Sequence, residues 1–406
     1  MSVKNLLAGA SAALALALAA APAAAQKKYD PGATDTEIKV GNTMPYSGPA
    51  SAYGTIGKVE AAYFKKINDE GGINGRKINF ISLDDGYSPP KTVEMVRRLV
   101  EQDEVLLLFQ PLGTPSNTAI HKYMNAKKVP QLFVATGATK WNDPQNFPWT
   151  MGWQPNYQTE TTIYAKHILQ TKPGAKIGVL YQNDDYGKDY LKGLKDGLGD
   201  KGKTMIVAEV SYETSDPTVD SQVVQLQASG ADVFVNITTP KFAAQAIRKA
   251  FDIDWKPVHY LNNVSLSVGA VLTPAGLDKS VGILSSNYGK DPTDPQWDSD
   301  PEMLEWRAFM KKYYPDGNLS DSSNTYGYSA ARLLVQVLKQ SGDNLTRENV
   351  MKQAANIKNF DSGMGLPGIL MNTSPTDFAP IQAVQMMKFD GKTWALFGEV
   401  IDSSSK

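Results

Sequence analysis

The chemistry most legible in this sequence is that of hydrogen-bond donors for an anion. Two junctions share one pattern: an apolar strand, a threonine, a proline and then a helical run. One is Leu106–Asn117 with Thr114-Pro115, the other Ile237–Pro240 with Thr239-Pro240. Threonine favours the N-cap and proline the first helical position, so each junction predicts a helix opening at a strand end with Thr as its cap. Such an opening presents unpaired N–H groups and the positive pole of the helix dipole, and receives an anion without a charged side chain. A third element, Thr136-Gly137-Ala138-Thr139, follows an apolar strand as a turn of small residues, which lets backbone N–H groups come close to a ligand. Each threonine alone could spend its hydroxyl on its own helix. Together with the small-residue turn, the pair points to a carboxylate site. Hydrogen bonds to a charged group contribute about 1.5–3 kcal/mol each, so three or four hold a carboxylate without an arginine.

Other chemistry is sparse. The 3 histidines, His121, His167 and His259, stand alone and read as structural or surface residues. HExxH, GxxxxGK[ST] and GxSxG are absent, which removes the common zinc-protease, P-loop and hydrolase signatures. Gly363-Met-Gly365-Leu-Pro-Gly368 matches GxGxxG but precedes a strand and contains Pro367, so it reads as a turn and not as a dinucleotide loop. Asp84-Asp85 and Asp184-Asp185 could suggest a metal. Helix capping by Asp184 or Asp185 and turn chemistry at Asp85-Gly86 explain them better. No metal and no cofactor is expected. Tyr53 and Tyr186 each precede a glycine where a helix begins, which sets them beside a cleft instead of inside a core.

These residues need a scaffold, and strands alternate with helices along most of the chain, which argues for parallel sheets covered by helices. The expected order begins with strand Ile38–Met44, helix Tyr53–Glu70, strand Lys77–Asp84, a helix capped by Ser88-Pro89, strand Val105–Phe109, helix Pro115–Ala126 and strand Gln131–Val134. The Trp-rich stretch from Trp141 to Trp153 reads as a loop and crossing segment. A second series opens with helix Tyr157–Leu169 and runs through strands Lys176–Tyr181, Thr204–Ser211, Asp232–Ile237, Pro257–Leu261 and Val281–Ser285. The segment Tyr288–Pro301 reads as an acidic surface loop. Helices near Met303–Tyr313, Asn324–Lys339 and Glu348–Ile357 follow, then strands near Gly368–Asn372, Ala383–Phe389 and Trp394–Phe397, a run that returns the chain to an earlier unit. In open α/β sheets ligands bind outside the C-terminal strand ends, so two facing units would line one cleft.

Whole-chain properties narrow the setting. Residues 1–25 carry Lys4, an apolar run from Leu6 to Ala19 and the small-residue end Ala21–Ala25, the three parts of a secretory signal peptide cleaved after Ala25. No later stretch is long enough to span a bilayer. With 0 Cys there is no disulfide framework and no lipid-attachment cysteine, so a soluble periplasmic protein is expected. A net charge of −1 from 41 basic and 42 acidic residues gives no electrostatic case for nucleic acid or an anionic membrane. At 406 residues the chain exceeds what one core usually organises, which predicts two lobes.

Several motifs in combination carry a family resemblance. Ser47-Gly-Pro-Ala-Ser-Ala-Tyr53-Gly54, the helix end Ile67-Asn-Asp-Glu-Gly-Gly-Ile-Asn-Gly75, Asp84-Asp85 and Asn183-Asp-Asp-Tyr186-Gly187 resemble the leucine/isoleucine/valine-binding proteins, the periplasmic receptors of branched-chain amino-acid-type ABC transporters. The similarity runs from about Thr36 to about Phe397. It implies an α/β, periplasmic binding protein-like fold of two lobes, each a mainly parallel sheet flanked by helices, joined by a three-crossing hinge. The corresponding divisions are 36–156 plus 287–361 for lobe 1 and 157–286 plus 362–406 for lobe 2. It also implies a Venus-flytrap closure on a small-molecule ligand, a monomer in solution and an inner-membrane ABC permease as partner.

By the same resemblance the ligand carboxylate falls to Thr114 and to Gly137, Ala138 and Thr139, with Tyr53 and Tyr186 as aromatic contacts. One match fails. Amino-acid-binding members carry an acidic residue for the ligand ammonium shortly after the strand ending near Leu261, where this chain has Asn262-Asn263, and Thr239 replaces their second-lobe aromatic. A neutral amide does not balance a buried ammonium. The expected ligand is therefore a small acid lacking an α-amino group, aromatic or apolar, of the benzoate or phenylpropanoid type, with Thr239 and Asn263 among its contacts. An amino-acid receptor of the same type is the alternative reading, and a periplasmic hydrolase a distant one for which no nucleophile–base pair is evident.

Overall fold

The computed structural model describes residues 27–402, and the expected signal peptide lies outside them. The first sheet is parallel throughout, in the order β2-β1-β3-β4-β5, with β1 Glu37–Met44, β2 Lys77–Asp84, β3 Leu107–Phe109, β4 Gln131–Val134 and β5 Thr150–Gly152. Its register pairs Val40 with Phe80 on one side and Leu107 on the other. Leu107, Leu108 and Phe109 are fully buried, as an unbroken apolar strand between two helical layers must be. One layer holds α1 (Gly54–Asp69), with α2 (Pro89–Glu101) and α3 (Thr114–Lys127) on the other side. Val59, Phe64 and Ile67 of α1 share a core with Leu333, Leu334 and Val337 of the long helix Ser323–Ser341. At Gly327 on that helix a Cβ would lie 2.4 Å from a Val59 methyl, so the two helices approach almost backbone to backbone.

The second sheet has the order β12-β11-β10-β9-β8-β6-β7: β6 Ile177–Gln182, β7 Ile206–Tyr212, β8 Val233–Ile237, β9 Val258–Leu261, β10 Leu284–Asn287, β11 Ala383–Phe389 and β12 Trp394–Asp402. Its first five strands are parallel, β11 runs antiparallel to β10, and β12 antiparallel to β11. Helices α4 (Tyr157–Thr171), α5 (Asp185–Leu198), α6 (Asp220–Ala228) and α7 (Pro240–Asp252) cover it. Between β10 and β11 the chain returns to the first sheet as α8 (Pro301–Tyr313), α9 (Ser323–Ser341) and α10 (Arg347–Ala354). Three crossings therefore join the two lobes, after β5, after β10 and before β11.

Four local expectations need correction. Thr150–Gly152, expected inside a loop, is strand β5, because Gln131 and Val134 offer it a free sheet edge. Gly368–Asn372 is not a strand. Met371 makes only an isolated bridge with Phe360, and Ile369 and Met371 sink into the first core instead. The same core takes Met364, Leu366, Phe378 and Ile381, so residues 362–382 pack with the first lobe although the sequence reading gave them to the second. Tyr288–Pro301 is a surface loop only in its second half: Pro295, Gln296, Asp298 and Ser299 are exposed, whereas Lys290, Asp291 and Asp294 are buried, Lys290 held by Asp300 and the Gly363 carbonyl.

The α4–α5 pair sets the wall of the second lobe and depends on Gly193, where a Cβ would sit 2.2 Å from the Gln158 carbonyl oxygen. Gly193→Ala is expected to destabilise the protein by about 1–3 kcal/mol through this overlap, read as a lower urea midpoint. An unchanged midpoint would show that the helices separate freely.

Candidate functional site

Both sheets point the C-terminal ends of their strands at one gap, and a cavity of ≈ 120 Å³ lies there. A water position needs about 10–15 Å³, so the cavity takes a molecule of several heavy atoms. Its wall is aromatic and apolar, with Tyr53, Tyr87, Tyr157, Tyr186, Tyr288, Tyr326 and Trp153 beside Ile56, Leu112, Val264 and Leu266. Residues at the N-terminal ends of α1, α3, α5, α7 and α9 contribute Tyr53, Thr114, Tyr186, Thr239 and Ser322-Ser323, so positive helix poles converge on it. Among the described residues no Asp or Glu lines the cavity, and its lone cation, Lys290, is paired with Asp300 at 2.8 Å.

Thr114 lies on the wall, but as the first helical residue. Gly113 holds the N-cap with φ 100°, a conformation suited to glycine, and a Cβ there would strike the Tyr87 ring at 2.6 Å. The Thr114 hydroxyl therefore does not cap its own helix. It is 2.6 Å from the hydroxyl of Thr136, which also accepts from Trp141 Nε1 at 3.2 Å and from the Ala138 N–H at 3.3 Å. That clamp turns the following residues away. Gly137, Ala138 and Thr139 do not line the cavity. Gly137 lies against the face of Tyr157, Ala138 joins the second core, and exposed Thr139 donates its N–H and hydroxyl to Asp189 on α5 at 2.8 and 3.0 Å.

The second-lobe wall is held from behind. Asp184 caps α5 by accepting from the N–H groups of Tyr186 and Gly187, the capping role expected of it, and the Tyr186 hydroxyl meets the Asn262 side-chain amide. The Thr239 N–H donates to the Tyr212 hydroxyl at 3.0 Å, which donates to Gln182 at 2.9 Å. Asn263 donates its backbone N–H to the Glu160 carboxylate at 2.8 Å, while its side-chain amide nitrogen, buried on the cavity wall, has no partner. Glu160 also accepts from the Tyr164 and Tyr190 hydroxyls, each at 2.7 Å. Burial pushes the Glu160 carboxyl up to about 7 against these three donors.

Five of the eight expected contacts, Tyr53, Thr114, Tyr186, Thr239 and Asn263, thus meet at one cavity. Tyr157 and Tyr87 were missed. Tyr157 carries the same signal as Tyr53 and Tyr186, a tyrosine at a helix start, whereas Tyr87 follows Asp85-Gly86 with φ 61°, a conformation no sequence pattern announces. Glu160 stands in the first turn of α4, where an acid reads as an ordinary helix-dipole partner, and reaches Asn263 only through folding. The lobes touch on both sides of the gap. Tyr53 donates to the Val264 carbonyl at 3.0 Å, Lys140 pairs with Asp185 at 2.6 Å, and Ser267 donates to Asp321 at 2.9 Å.

A two-lobed α/β scaffold with a partly open, tyrosine-lined interlobe cavity is the architecture of a solute-binding protein. Residues 37–393 match the family described as periplasmic binding protein, and the chain belongs to that family. It is one of substrate-binding proteins that work with ABC transporter permeases, and it implies a periplasmic location. The chain is 25% identical over 322 residues to "Leu/Ile/Val-binding protein homolog 1" of Brucella abortus, covering 78% of this chain and 82% of that protein. It is 22% identical over 320 residues to the "Amino acid binding protein" of Pseudomonas aeruginosa, covering 76% and 80%. The fold is shared with a fatty acid ABC transporter substrate-binding protein from Thermomonospora curvata, with a TM-score of 0.78, 23% identity and coverage of 93% and 95%. It is shared too with a branched chain amino acid ABC transporter from Thermus thermophilus with bound valine, at a TM-score of 0.82, 16% identity and coverage of 92% and 98%.

Because burial raises Glu160 above an unfolded value near ~4.3, the native state holds a proton that the unfolded chain releases. The stability from this proton is full below ~pH 4.3 and is lost as pH rises through about 7. The full loss amounts to about 4 kcal/mol at ~1.4 kcal/mol per pK unit. In Glu160→Gln the fall in urea-unfolding free energy between about pH 4.5 and 7.5 should shrink by that order. An identical pH profile in both proteins would remove Glu160 as the cause.

Proposed function

We propose that this protein is the soluble receptor of an ABC importer and binds a small organic carboxylate without an α-amino group in the interlobe cavity, an aromatic or apolar acid being favoured. The observation that carries this is the charge of the wall: helix N-termini and the unpartnered Asn263 amide supply donors, and no lining residue carries negative charge. The carboxylate lies at the opening of α3, with Thr114 and the neighbouring backbone N–H groups as donors. Thr239 and Asn263 approach it from the second lobe. Tyr53, Tyr157 and Tyr186 pack on the organic body, with Tyr157 and Tyr186 set edge to face at 5.5 Å.

An amino-acid ligand is the alternative, in keeping with the printed names of the Brucella and Pseudomonas relatives. It would need an anion for its ammonium. Glu160, which holds the backbone of Asn263 on the wall, has its oxygens taken by Tyr164, Tyr190 and the Asn263 N–H. Binding without turnover is supported by membership in a family of substrate-binding proteins. The lobes are taken as 36–156 plus 287–382 and 157–286 plus 383–402, the boundary after Asp361 moved to follow the core packing. The chain acts as a monomer and presents both lobes to the permease when closed.

Thermal-shift measurement on purified protein with benzoates, phenylpropanoids, aliphatic acids and amino acids should give stabilisation by acids lacking the α-amino group. Tight binding of leucine or valine with no response to the aromatic acids overturns the ligand class. Titration calorimetry of Thr114→Ala with the best acid should show a dissociation constant raised about tenfold, the equivalent of one hydrogen bond to a charged group. Unchanged affinity would remove the carboxylate from the α3 opening.

A further inference from the structure

The cavity extends beyond the interlobe threonines to the hinge. Its far wall is made by Met364, Ile369, Met371 and Ile381, from the segment that packs with the first core. This segment is laced to the crossing after β10. Leu366 donates its N–H to the Tyr288 carbonyl at 2.9 Å, Lys290 donates its N–H to the Met364 carbonyl at 2.8 Å, and Lys290 Nζ reaches the Gly363 carbonyl at 3.0 Å. One polar atom on this surface is left without a partner and a second is poorly paired. Ser362 is 2% exposed and Trp153 is 0% exposed, both line the cavity, the Ser362 hydroxyl makes no hydrogen bond, and Trp153 Nε1 has only the Tyr288 hydroxyl beside it, short of good hydrogen-bond geometry.

A buried polar atom without a good partner is unfavourable and uncommon in native proteins, so these two on one ligand cavity call for an external partner. We infer that the hinge end of the cavity receives a neutral oxygen carried at the far end of the ligand's apolar body, hydrogen-bonded by the Ser362 hydroxyl with Trp153 Nε1 as a second donor. This rests on the carboxylate reading of the other end and extends it. The ligand is then an acid with two polar ends, a carboxylate at the opening of α3 and a hydroxyl or carbonyl at the hinge. Trp153 Nε1 only donates, which requires an acceptor, and an oxygen is the common one. A second carboxylate is disfavoured because the cation of this region, Lys290, is already neutralised by Asp300 at 2.8 Å and would leave that charge buried and unbalanced.

The test is titration calorimetry of the full mature protein with two matched pairs, benzoate with 4-hydroxybenzoate and 3-phenylpropanoate with 3-(4-hydroxyphenyl)propanoate, plus 3-(4-carboxyphenyl)propanoate. In at least one pair the hydroxylated acid should bind about tenfold tighter. Ser362→Ala should remove most of that preference and leave the affinity for the unsubstituted acid within about twofold. Should Ser362→Ala fail to fold by circular dichroism, Ser362→Cys, which keeps the size and weakens the donor, gives the same comparison. Equal affinities within both pairs, a preference that survives the Ser362 variants, or tightest binding of the dicarboxylate each overturn the inference. In the first two cases the unsubstituted acids still bind and the carboxylate reading stands. Failure of every acid to bind removes both.

Discussion

The structure depends on one geometric constraint: two helix-covered parallel sheets aim their C-terminal strand ends at the same gap. A parallel strand feeding a helix leaves a helix N-terminus at that edge, so the gap collects positive helix poles from both lobes, the N–H groups of the α5 opening being already capped by Asp184. Tyrosines at several of these helix starts close the walls without adding charge. The threonine pair Thr114 and Thr136, with hydroxyls 2.6 Å apart, ties the α3 opening to the turn after β4. The hydroxyl chain Thr239–Tyr212–Gln182 does the same for the α7 opening.

Behind the wall, a buried carboxyl fixes a residue whose side-chain amide nitrogen stays without a partner. Glu160 on α4 holds the backbone of Asn263 and two tyrosine hydroxyls, which anchors the main chain of Asn263 where its amide lines the cavity. The acid is near the ligand space yet its oxygens are occupied. Position in the network, and not the presence of an acidic residue, decides whether an ammonium could be balanced. The hinge end shows the converse. Its segment 362–382 is held by backbone hydrogen bonds to the crossing and by burial of Met364, Ile369 and Met371, and it leaves the Ser362 hydroxyl without a protein partner.

Much of this was legible in the sequence, for identifiable reasons. The βα alternation, the caps and the Thr-Pro junctions are local, and helices such as α7, opened by Thr239-Pro240, begin where their caps put them. So too the chain's return to the second sheet through β11 and β12 was visible as a break in alternation. The family resemblance rests on motifs of this local kind, and it carried the two-lobed fold with them.

What the sequence could not determine lies in contacts between distant segments. The turn Gly137–Thr139 reads as ligand-facing because its residues are small, yet it is held away by the Thr136 clamp, set by packing within the first lobe, and by the Tyr157 ring, set by packing between lobes. Thr114 reads as a cap until Gly113 takes that place under the Tyr87 ring. Glu160 is separated from Asn263 by 103 positions, and Ile369 and Met371 look like a strand until the first core claims them. The sequence by itself determined the fold class, the helix openings and the lack of an acid after β9, because these follow from backbone preference and residue identity. Only the tertiary structure decided which donors share the cavity and which polar atoms stay unpaired, because partners chosen across the chain depend on where the lobes meet.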